Sequence, residues 1–372
     1  MSKLHVPSFA EDCVDLLRQT TDGKAVNRRS FLTLCGVLGV SAGMFRFSPA
    51  LAADKEIVLV NWGGDAVTAM TEAFAKPFMA ANAGTEVFVD GAGPSSGKVK
   101  AMVESGSVTW DVADRNIPAS LELGRQGLLE EIDYTIVDKS KVRPEHAGQW
   151  GVGNYIFSNV LTWDTAAFPD KAPSTWADFW NVKDFPGRRA LRKHIDGQLE
   201  AALLADGVAP ADIYPIDVDR ALEKIKEIKE HTIFWGSGAE SQQIFRDREV
   251  VMGNLFNTRA SVVRRETDAA IEFTYNQGIV WPGAWIVMKN NPAGKDVFKL
   301  IASTQDPAQQ IVLFELLGNG PINPAAAALV PDELKPLDPG SPENYAKQIP
   351  ADGEWYADNS ATVLNRYIEA IS

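Results

Sequence analysis

The most constraining feature of the sequence is a strand–loop–helix pattern that recurs at intervals of about 25–30 residues beyond position 55. Short apolar runs are followed by loops rich in small residues, and then by segments with the apolar spacing of helices. The pattern predicts strands at 57–60, 86–89 and 111–113, and helices at 66–81, 98–104 and 118–127. Strands that alternate with helices form a mostly parallel sheet, so we expect an α/β fold.

A second unit of the same kind follows the loop around Gly151 and Gly153. Its first strand is predicted near 155–163. Further strands are predicted at 250–252 and 285–289, and helices at 199–206, 218–230, 296–303, 308–317 and 359–371. The length of the chain is enough for about two domains.

Residues 1–52 have the composition and order of a cleaved export signal. Asn27-Arg28-Arg29-Ser30-Phe31-Leu32 precedes an apolar run, and Ala50-Leu51-Ala52 supplies the small residues of a cleavage site. The paired arginines resemble a twin-arginine signal, although Asn27 stands where Ser or Thr is commoner and leaves the Sec route open. A buried amphipathic helix is the structural alternative. The export signal predicts a periplasmic protein.

Removal of this leader would leave an acidic chain without cysteine. Cys13 and Cys35 both lie in it, and the bulky Leu34 before Cys35 argues against a lipid anchor. The whole chain has a formal charge of −13, whereas residues 53–372 carry 30 basic and 45 acidic side chains. This composition excludes disulfide frameworks and thiolate sites, and it counts against nucleic acid. Scattered histidines predict neither a metal site nor a cofactor.

The loop at 91–97 nearly matches several catalytic motifs. Gly93-Pro94-Ser95-Ser96-Gly97 fits the G-x-S-x-G pattern of serine hydrolases. In such enzymes the catalytic Asp and then the His follow the Ser along the chain, but no histidine follows His231 here. The loop is not a P-loop, since Ala92 and Val99 occupy required Gly and Ser/Thr positions. The alternatives from other classes are therefore an exported hydrolase using Ser95 and a structural or scaffold protein. Otherwise the loop either binds a polar ligand or caps a helix.

Several segments together resemble the periplasmic substrate-binding proteins of ABC transporters, in the spermidine/putrescine-binding group. The most specific is the stretch 173–180 continuing to 184–189, which reads PSTWADFW and DFPGRR. The others are Asn61-Trp62-Gly63-Gly64, Trp110-Asp111-Val112, Gly127-Leu128-Leu129, Ile132-Asp133, Phe256-Asn257-Thr258-Arg259 and Gly320-Pro321-Ile322-Asn323. Phe256 stands where this group usually has tryptophan.

The resemblance implies the type II periplasmic binding protein fold, with mostly parallel mixed sheets in two lobes and a hinge. Lobe 1 would comprise 53–152 and 286–340, lobe 2 would comprise 153–285, and 341–372 would pack across them. One small solute would bind between the lobes, and closure would present a surface to an ABC permease in the inner membrane. The receptor would be a monomer and not an enzyme.

The resemblance and the loop chemistry together suggest a set of ligand-binding residues. Trp62, Trp281 and Phe256 match the ligand walls of the family, whereas Trp176 and Trp180, four apart on a helix, are expected in the core. The predicted ligand contacts are Trp62, Gly63, Asp65, Ser95, Ser96, Asn116, Arg192, Phe256, Asn257, Arg259, Trp281 and Asn319.

The acidic residues of these segments fit a polyamine poorly. The family's polyamine binders place an Asp two residues after the wall tryptophan, where this chain has Gly283. Asp65, Asp114 and Asp358 could receive a cation, while Arg259 and Arg192 could hold a carboxylate. The predicted ligand is a polyamine-like or amino-bearing solute, with an amino acid, γ-aminobutyrate or a betaine as the alternative.

Overall fold

The computed structural model describes residues 55–372, so the predicted leader lies outside the described residues. Nine strands are present in this part of the chain. They are β1 (Lys55–Val60), β2 (Thr85–Asp90), β3 (Val112–Asn116), β4 (Val152–Asp164), β5 (Arg189–Arg192), β6 (Thr232–Trp235), β7 (Met252–Phe256), β8 (Ile271–Val287) and β9 (Ile349–Pro350).

Helices connect and cover these strands. They are α1 (Asp65–Met70), which continues through a π-helical turn (Thr71–Ala75) into α2 (Lys76–Ala81), then α3 (Ser96–Glu104), α4 (Ile117–Arg125), α5 (Trp176–Trp180), α6 (Gln198–Ala205), α7 (Val218–Lys226), α8 (Gly238–Arg246), α9 (Asn257–Glu266), α10 (Asp296–Thr304), α11 (Pro307–Leu317), α12 (Pro342–Tyr345) and α13 (Gly353–Ile371). Among the described residues, no helix combines the length and apolarity needed to span a bilayer.

The strands form one mixed sheet in the order β2-β1-β3-β8-β4-β7-β5-β6, and β9 adds to β8. The pairs within β2-β1-β3, which we call the first wing, are parallel. The pairs within β7-β5-β6, the second wing, are also parallel. The long antiparallel strands β4 and β8 join the wings and are called the central pair. The predicted α/β fold with a mixed, mostly parallel sheet is confirmed.

Apolar side chains cover both faces of the first wing. Ile57 and Leu59 of β1 point into a core that includes Phe74 and Trp285. The alternate residues of β1 point to the opposite face and join a second core with Trp110 and Ile286. Because successive side chains of a strand alternate between faces, the continuous apolar run at 57–60 marks a strand buried on both sides.

The second wing is buried in the same way. Leu191 of β5 joins a core built around Trp176 and Phe179, and its neighbour Ala190 packs on the other face with Phe245. Trp176 is 1% exposed and Trp180 is 7% exposed, which confirms the prediction that both belong to the core.

Most predicted elements exist, with differences at their ends. The strand predicted at 285–289 is the last part of β8, whose earlier residues include Gly278 and Pro282. These residues make the strand hard to predict from the sequence, because proline cannot donate a hydrogen bond to the sheet and glycine contributes no apolar side chain. The pairing of β4 with β8 shifts register between Gly153 and Ile156, opposite Pro282. The strand predicted at 250–252 instead begins at Met252.

The C-terminal helix α13 contacts both ends of the sheet. Tyr356 and Tyr367 are buried in the core of the second wing. Glu354 and Asp358 form ion pairs with Arg125 of α4, which adjoins the first wing. Asp358 is therefore a surface partner of Arg125 rather than a cation receiver in a binding cleft, which corrects the expectation from the sequence.

A buried carboxyl group lies between α6 and α13. Glu200 is 0% exposed, and its Oε1 accepts hydrogen bonds from the hydroxyl groups of Tyr214 at 2.6 Å and Tyr356 at 2.8 Å. Burial raises the pKa of Glu200 to about 7, although the two tyrosine donors oppose this effect and the nearby Asp196 adds to it. The structure thus stabilises the protonated form of this carboxyl group.

We expect Glu200→Gln to make the protein more stable at pH 8 but not at pH 4. A carboxyl group whose pKa rises from 4.5 to about 7 on folding binds more protons in the folded state, so stability falls as pH rises across that window. Glutamine keeps the acceptor for both tyrosines and carries no charge. The difference in unfolding free energy should reach about 3 kcal/mol above pH 7. Urea unfolding of both proteins from pH 4 to 8 measures it, and a difference independent of pH would contradict the prediction.

Candidate functional site

The candidate site lies where the carboxyl ends of the strands of the two wings face each other. In parallel sheets these ends leave free backbone groups and loops that form ligand sites. Two contacts show that the wings meet here. The Gln242 Nε2 of α8 donates to Asp65 Oδ2 at 3.0 Å, and Arg259 Nη2 of α9 donates to the carbonyl oxygen of Gly63 at 3.4 Å. We call this region the cleft.

The loop after β1 depends on Gly63 for its shape. Gly63 has φ of +76°, and a β-carbon at this position would lie 2.8 Å from the carbonyl oxygen of Gly91. Only glycine permits both the left-handed backbone and this close approach. The same loop carries Trp62, which is 39% exposed, and Asp65, which is exposed.

Arg259 is a buried cation at the start of α9. The residue is 5% exposed, and its Nη1 makes no hydrogen bond with the described residues. A β-carbon at Gly238 would lie 2.4 Å from its Nε, so glycine there makes room for the guanidinium group. Burial lowers the pKa of Arg259, and the charges of Asp65 and Asp114 and the hydroxyl of Tyr155 oppose that effect.

Asp114 is a buried carboxyl group beneath the cleft. The residue is 1% exposed, and its Oδ1 accepts hydrogen bonds from the Tyr155 hydroxyl at 2.6 Å and the Asn154 Nδ2 at 3.0 Å. Burial raises the pKa of Asp114 to about 6, against the opposing effects of these two donors and of Arg115 and Arg259. The Asp114 carboxyl group is therefore harder to ionise than an exposed one, although the charges of two guanidinium groups favour its ionised form.

Arg115 is a second guanidinium group, contributed by the end of β3. Its Nη2 donates to the Ser96 hydroxyl at 3.0 Å, and that hydroxyl donates to Glu122 Oε2 at 3.0 Å. The guanidinium carbon lies 5.3 Å from the centre of the Trp62 ring. Its Nε is buried and makes no hydrogen bond within residues 55–372.

Arg192 is a third guanidinium group, at the end of β5. Its Nη1 donates to Asp196 Oδ2 at 2.8 Å. The guanidinium carbon lies 5.0 Å from the ring centre of Phe256 and 5.7 Å from that of Trp235. The indole Nε1 of Trp235 is buried and has no hydrogen-bond partner in the described chain. The carbonyl oxygen of Arg192 accepts from the Tyr367 hydroxyl at 2.6 Å, which ties this end of β5 to α13.

Aromatic rings fill the base of the cleft. Phe157 of the central pair meets Phe256 edge to face at 5.4 Å and stacks on Trp281 at 6.3 Å. Trp281 is 1% exposed, and its Nε1 donates to Asn159 Oδ1 at 2.8 Å. Trp281 thus lies behind Phe157, while Phe256 is half-buried beside Arg192.

Other predicted site residues have local structural bonds. Ser95 and Asn116 cap α3 and α4, because their side chains accept from the backbone N–H groups of Lys98 and Ala119. Asn257 Oδ1 accepts from the N–H of Ser158, and its Nδ2 donates to the carbonyl oxygen of Gly318 at 2.7 Å. Both amide atoms of Asn257 are thus occupied, whereas Ser95 and Asn116 each use one acceptor for a cap, and contact of all three with a ligand stays a prediction.

Asn319 differs from these residues. It is 2% exposed, and its Oδ1 makes no hydrogen bond with the described residues. Its side chain lies beside Tyr155 and lowers the pKa of that phenol, against the larger effect of burial. An acceptor near Asp114 is therefore free to receive an N–H donor.

The sequence did not single out four residues that shape the cleft. Arg115 follows the predicted cation receiver Asp114, and Trp235 ends a strand too short to be recognised. Tyr155 and Phe157 lie in a strand that was predicted, two positions apart on one face, where their rings meet edge to face at 6.0 Å.

The chain matches the model of the family described as bacterial extracellular solute-binding protein over residues 73–339. It is 32% identical over 337 residues to the gamma-aminobutyric acid-binding protein of Pseudomonas aeruginosa PAO1, covering 87% of this chain and 93% of that protein. The chain therefore belongs to the bacterial extracellular solute-binding proteins, a class of ABC transporter substrate-binding components.

Solved structures confirm the type II periplasmic binding protein fold. A GABA receptor has a TM-score of 0.78 at 31% identity, with 85% of this chain and 98% of that chain covered. AgtB of A. tumefaciens R10, in complex with agropinic acid, has a TM-score of 0.79 at 30% identity. The match covers 86% of this chain and 99% of that chain. A spermidine/putrescine-binding protein of Streptococcus pneumoniae is only 16% identical, so that likeness is one of fold alone.

We expect Arg259→Met to raise the pKa of Asp114 above about 6, because Arg259 stabilises the ionised carboxylate. A carboxyl-carbon NMR titration of protein labelled at aspartate measures the shift. Arg264→Met provides the matched control, since Arg264 lies on the same helix but forms a half-buried ion pair with Glu272. An unchanged Asp114 titration in the Arg259 variant would show that the two groups do not interact.

Proposed function

We propose that this protein is the periplasmic receptor of an ABC importer for a small zwitterionic amino acid of the γ-aminobutyrate class. The ligand would bind in the cleft between two lobes, with boundaries at about 152, 285 and 340. The export signal predicted at 1–52 supports the location, and a monomeric receptor delivering to a permease fits the family.

The observation that carries this proposal is the presence of buried, unpaired donors beside buried acceptors in one cleft. Arg259 Nη1 and Arg115 Nε have no partner among the described residues, and each is a cationic donor suited to a carboxylate. Asn319 Oδ1 and Asn154 Oδ1 are unpaired acceptors close to Asp114 and suit an ammonium group. Unpaired buried polar groups are costly, so a ligand that satisfies both sets gains affinity.

A polyamine could pair with the acceptors of this site but not with its cationic donors. Its ammonium groups could use Asp65 and Asp114, but they would add positive charge next to Arg115, Arg192 and Arg259. Like charges in a buried site disfavour binding. The relatives support the same choice, since the P. aeruginosa protein and the solved receptor are both named for γ-aminobutyrate.

The aromatic rings limit the size and polarity of the ligand. Phe157 and Phe256 form an apolar surface at the base of the cleft, on which a short methylene chain would pack. Trp62 is partly exposed at the opposite side and would cover the ligand. A short, flexible ω-amino acid combines such a chain with charged groups at both ends.

Calorimetric titration tests the proposal. We expect γ-aminobutyrate to bind, butyrate and butylamine to bind at least about tenfold more weakly, and putrescine and spermidine not to bind. Ligand at ~100 times its dissociation constant should add about 2.7 kcal/mol to the unfolding free energy.

One control variant accompanies the titration. Arg264→Ala serves as the control variant, because Arg264 pairs with Glu272 outside the cleft and should leave the affinity unchanged. Binding of putrescine or spermidine without binding of any amino acid would overturn the proposal.

A further inference from the structure

We propose that Arg115 is the residue that selects for the ligand's carboxylate, which it binds together with Arg192 from the opposite wing. This inference rests on the proposed function and adds the orientation of the ligand in the cleft. The carboxylate would lie between Trp62 and Trp235, and the ammonium group would point toward Asp65 and Asp114.

Arg115 has an available donor edge in a fixed orientation. One of its terminal nitrogens is held by Ser96, and Ser96 is held in turn by Glu122. The Trp62 ring covers one face of the guanidinium group. The buried Nε is left without a partner in the described chain, at the edge where a carboxylate accepts from arginine.

Arg192 provides a complementary group across the cleft. Arg115 lies close enough to Arg192 for their charges to repel, and close enough to Asp196 for attraction. Asp196 is hydrogen-bonded to Arg192 and lies 3.1 Å from His194 Nδ1, so it offsets the charge of Arg115 only from a distance. A ligand carboxylate between the two guanidinium groups would relieve the remaining repulsion. The unpaired indole N–H of Trp235, whose ring lies beside Arg192, is a third donor at this end.

The Arg259 end of the cleft has a different balance of charge, and Asp114 is influenced by both Arg259 and Arg115. Arg259 is flanked by the acidic groups Asp65 and Asp114, whose charges favour its charged form against the effect of burial. Unpaired acceptors of Asn154 and Asn319 lie at this end, near Tyr155. An ammonium group is therefore favoured here, and Arg259 neutralises the acidic groups rather than selecting the carboxylate.

The test compares γ-aminobutyrate with 4-aminobutanamide, which replaces the carboxylate by a neutral amide of the same shape. Affinities come from calorimetry, and weak ligands are measured by competition in ligand-observed NMR. In the unmodified protein we expect γ-aminobutyrate to bind at least about 30-fold more tightly than the amide. Arg115→Gln should reduce this ratio to within about threefold of unity, mainly by weakening γ-aminobutyrate binding. Arg115→Lys should restore part of the ratio.

Arg259→Gln is the matched comparison in the same cleft. It should change the affinities of both compounds by similar factors, because both carry the same ammonium group, and leave their ratio close to that of the unmodified protein. A ratio that survives Arg115→Gln but collapses in Arg259→Gln would overturn the assignment. If circular dichroism shows that Arg115→Gln does not fold, the ratio is measured in Arg115→Lys instead. Lysine keeps the charge but loses the donor edge, so a ratio equal to that of the unmodified protein would overturn the assignment.

This outcome is separable from failure of the proposed function. Absence of γ-aminobutyrate binding to the unmodified protein would reject the proposed function. Normal binding with a ratio insensitive to Arg115 would reject only the assignment of Arg115.

Discussion

The antiparallel pairing of β4 with β8 is the interaction on which the rest of the structure depends. Each of these strands is long enough to run through both wings, so β3 pairs with one end of β8 and β7 pairs with β4. The pairing thereby sets the position of one parallel wing relative to the other. It brings the carboxyl ends of six shorter strands together at the cleft, where side chains from distant parts of the chain meet.

The convergence of these strands places charged side chains in a largely buried site. Arg115, Arg192 and Arg259 would each be costly to bury alone, and each lies near a carboxylate. The cleft is therefore nearly balanced in charge but incomplete in hydrogen bonds. A site of this kind discriminates through the pairing of its donors and acceptors more than through net charge, and the overall acidity of the chain has little bearing on its ligand.

The sequence was informative where apolar spacing determines structure. The run at 57–60 and the buried tryptophans Trp176 and Trp180 could be predicted because each follows from local patterns. β5 was missed, since its first residue is an arginine. That residue, Arg189, is fully buried and satisfied by the carbonyl oxygens of Phe179, Phe185 and Gly187, a tertiary arrangement that no local pattern reveals. Arg115 was missed for the same reason, as its role depends on partners from other loops.

The register shifts in the central pair have a mechanical consequence. The ladder between β4 and β8 is interrupted between Gly153 and Ile156 and again between Asn159 and Leu161, and Pro282 removes one further donor. Interrupted ladders bend with less loss of hydrogen bonding than continuous ones. Any rotation of one wing against the other must therefore be concentrated at these few residues, whose backbone amides would exchange with solvent faster than those of the intact ladder on either side.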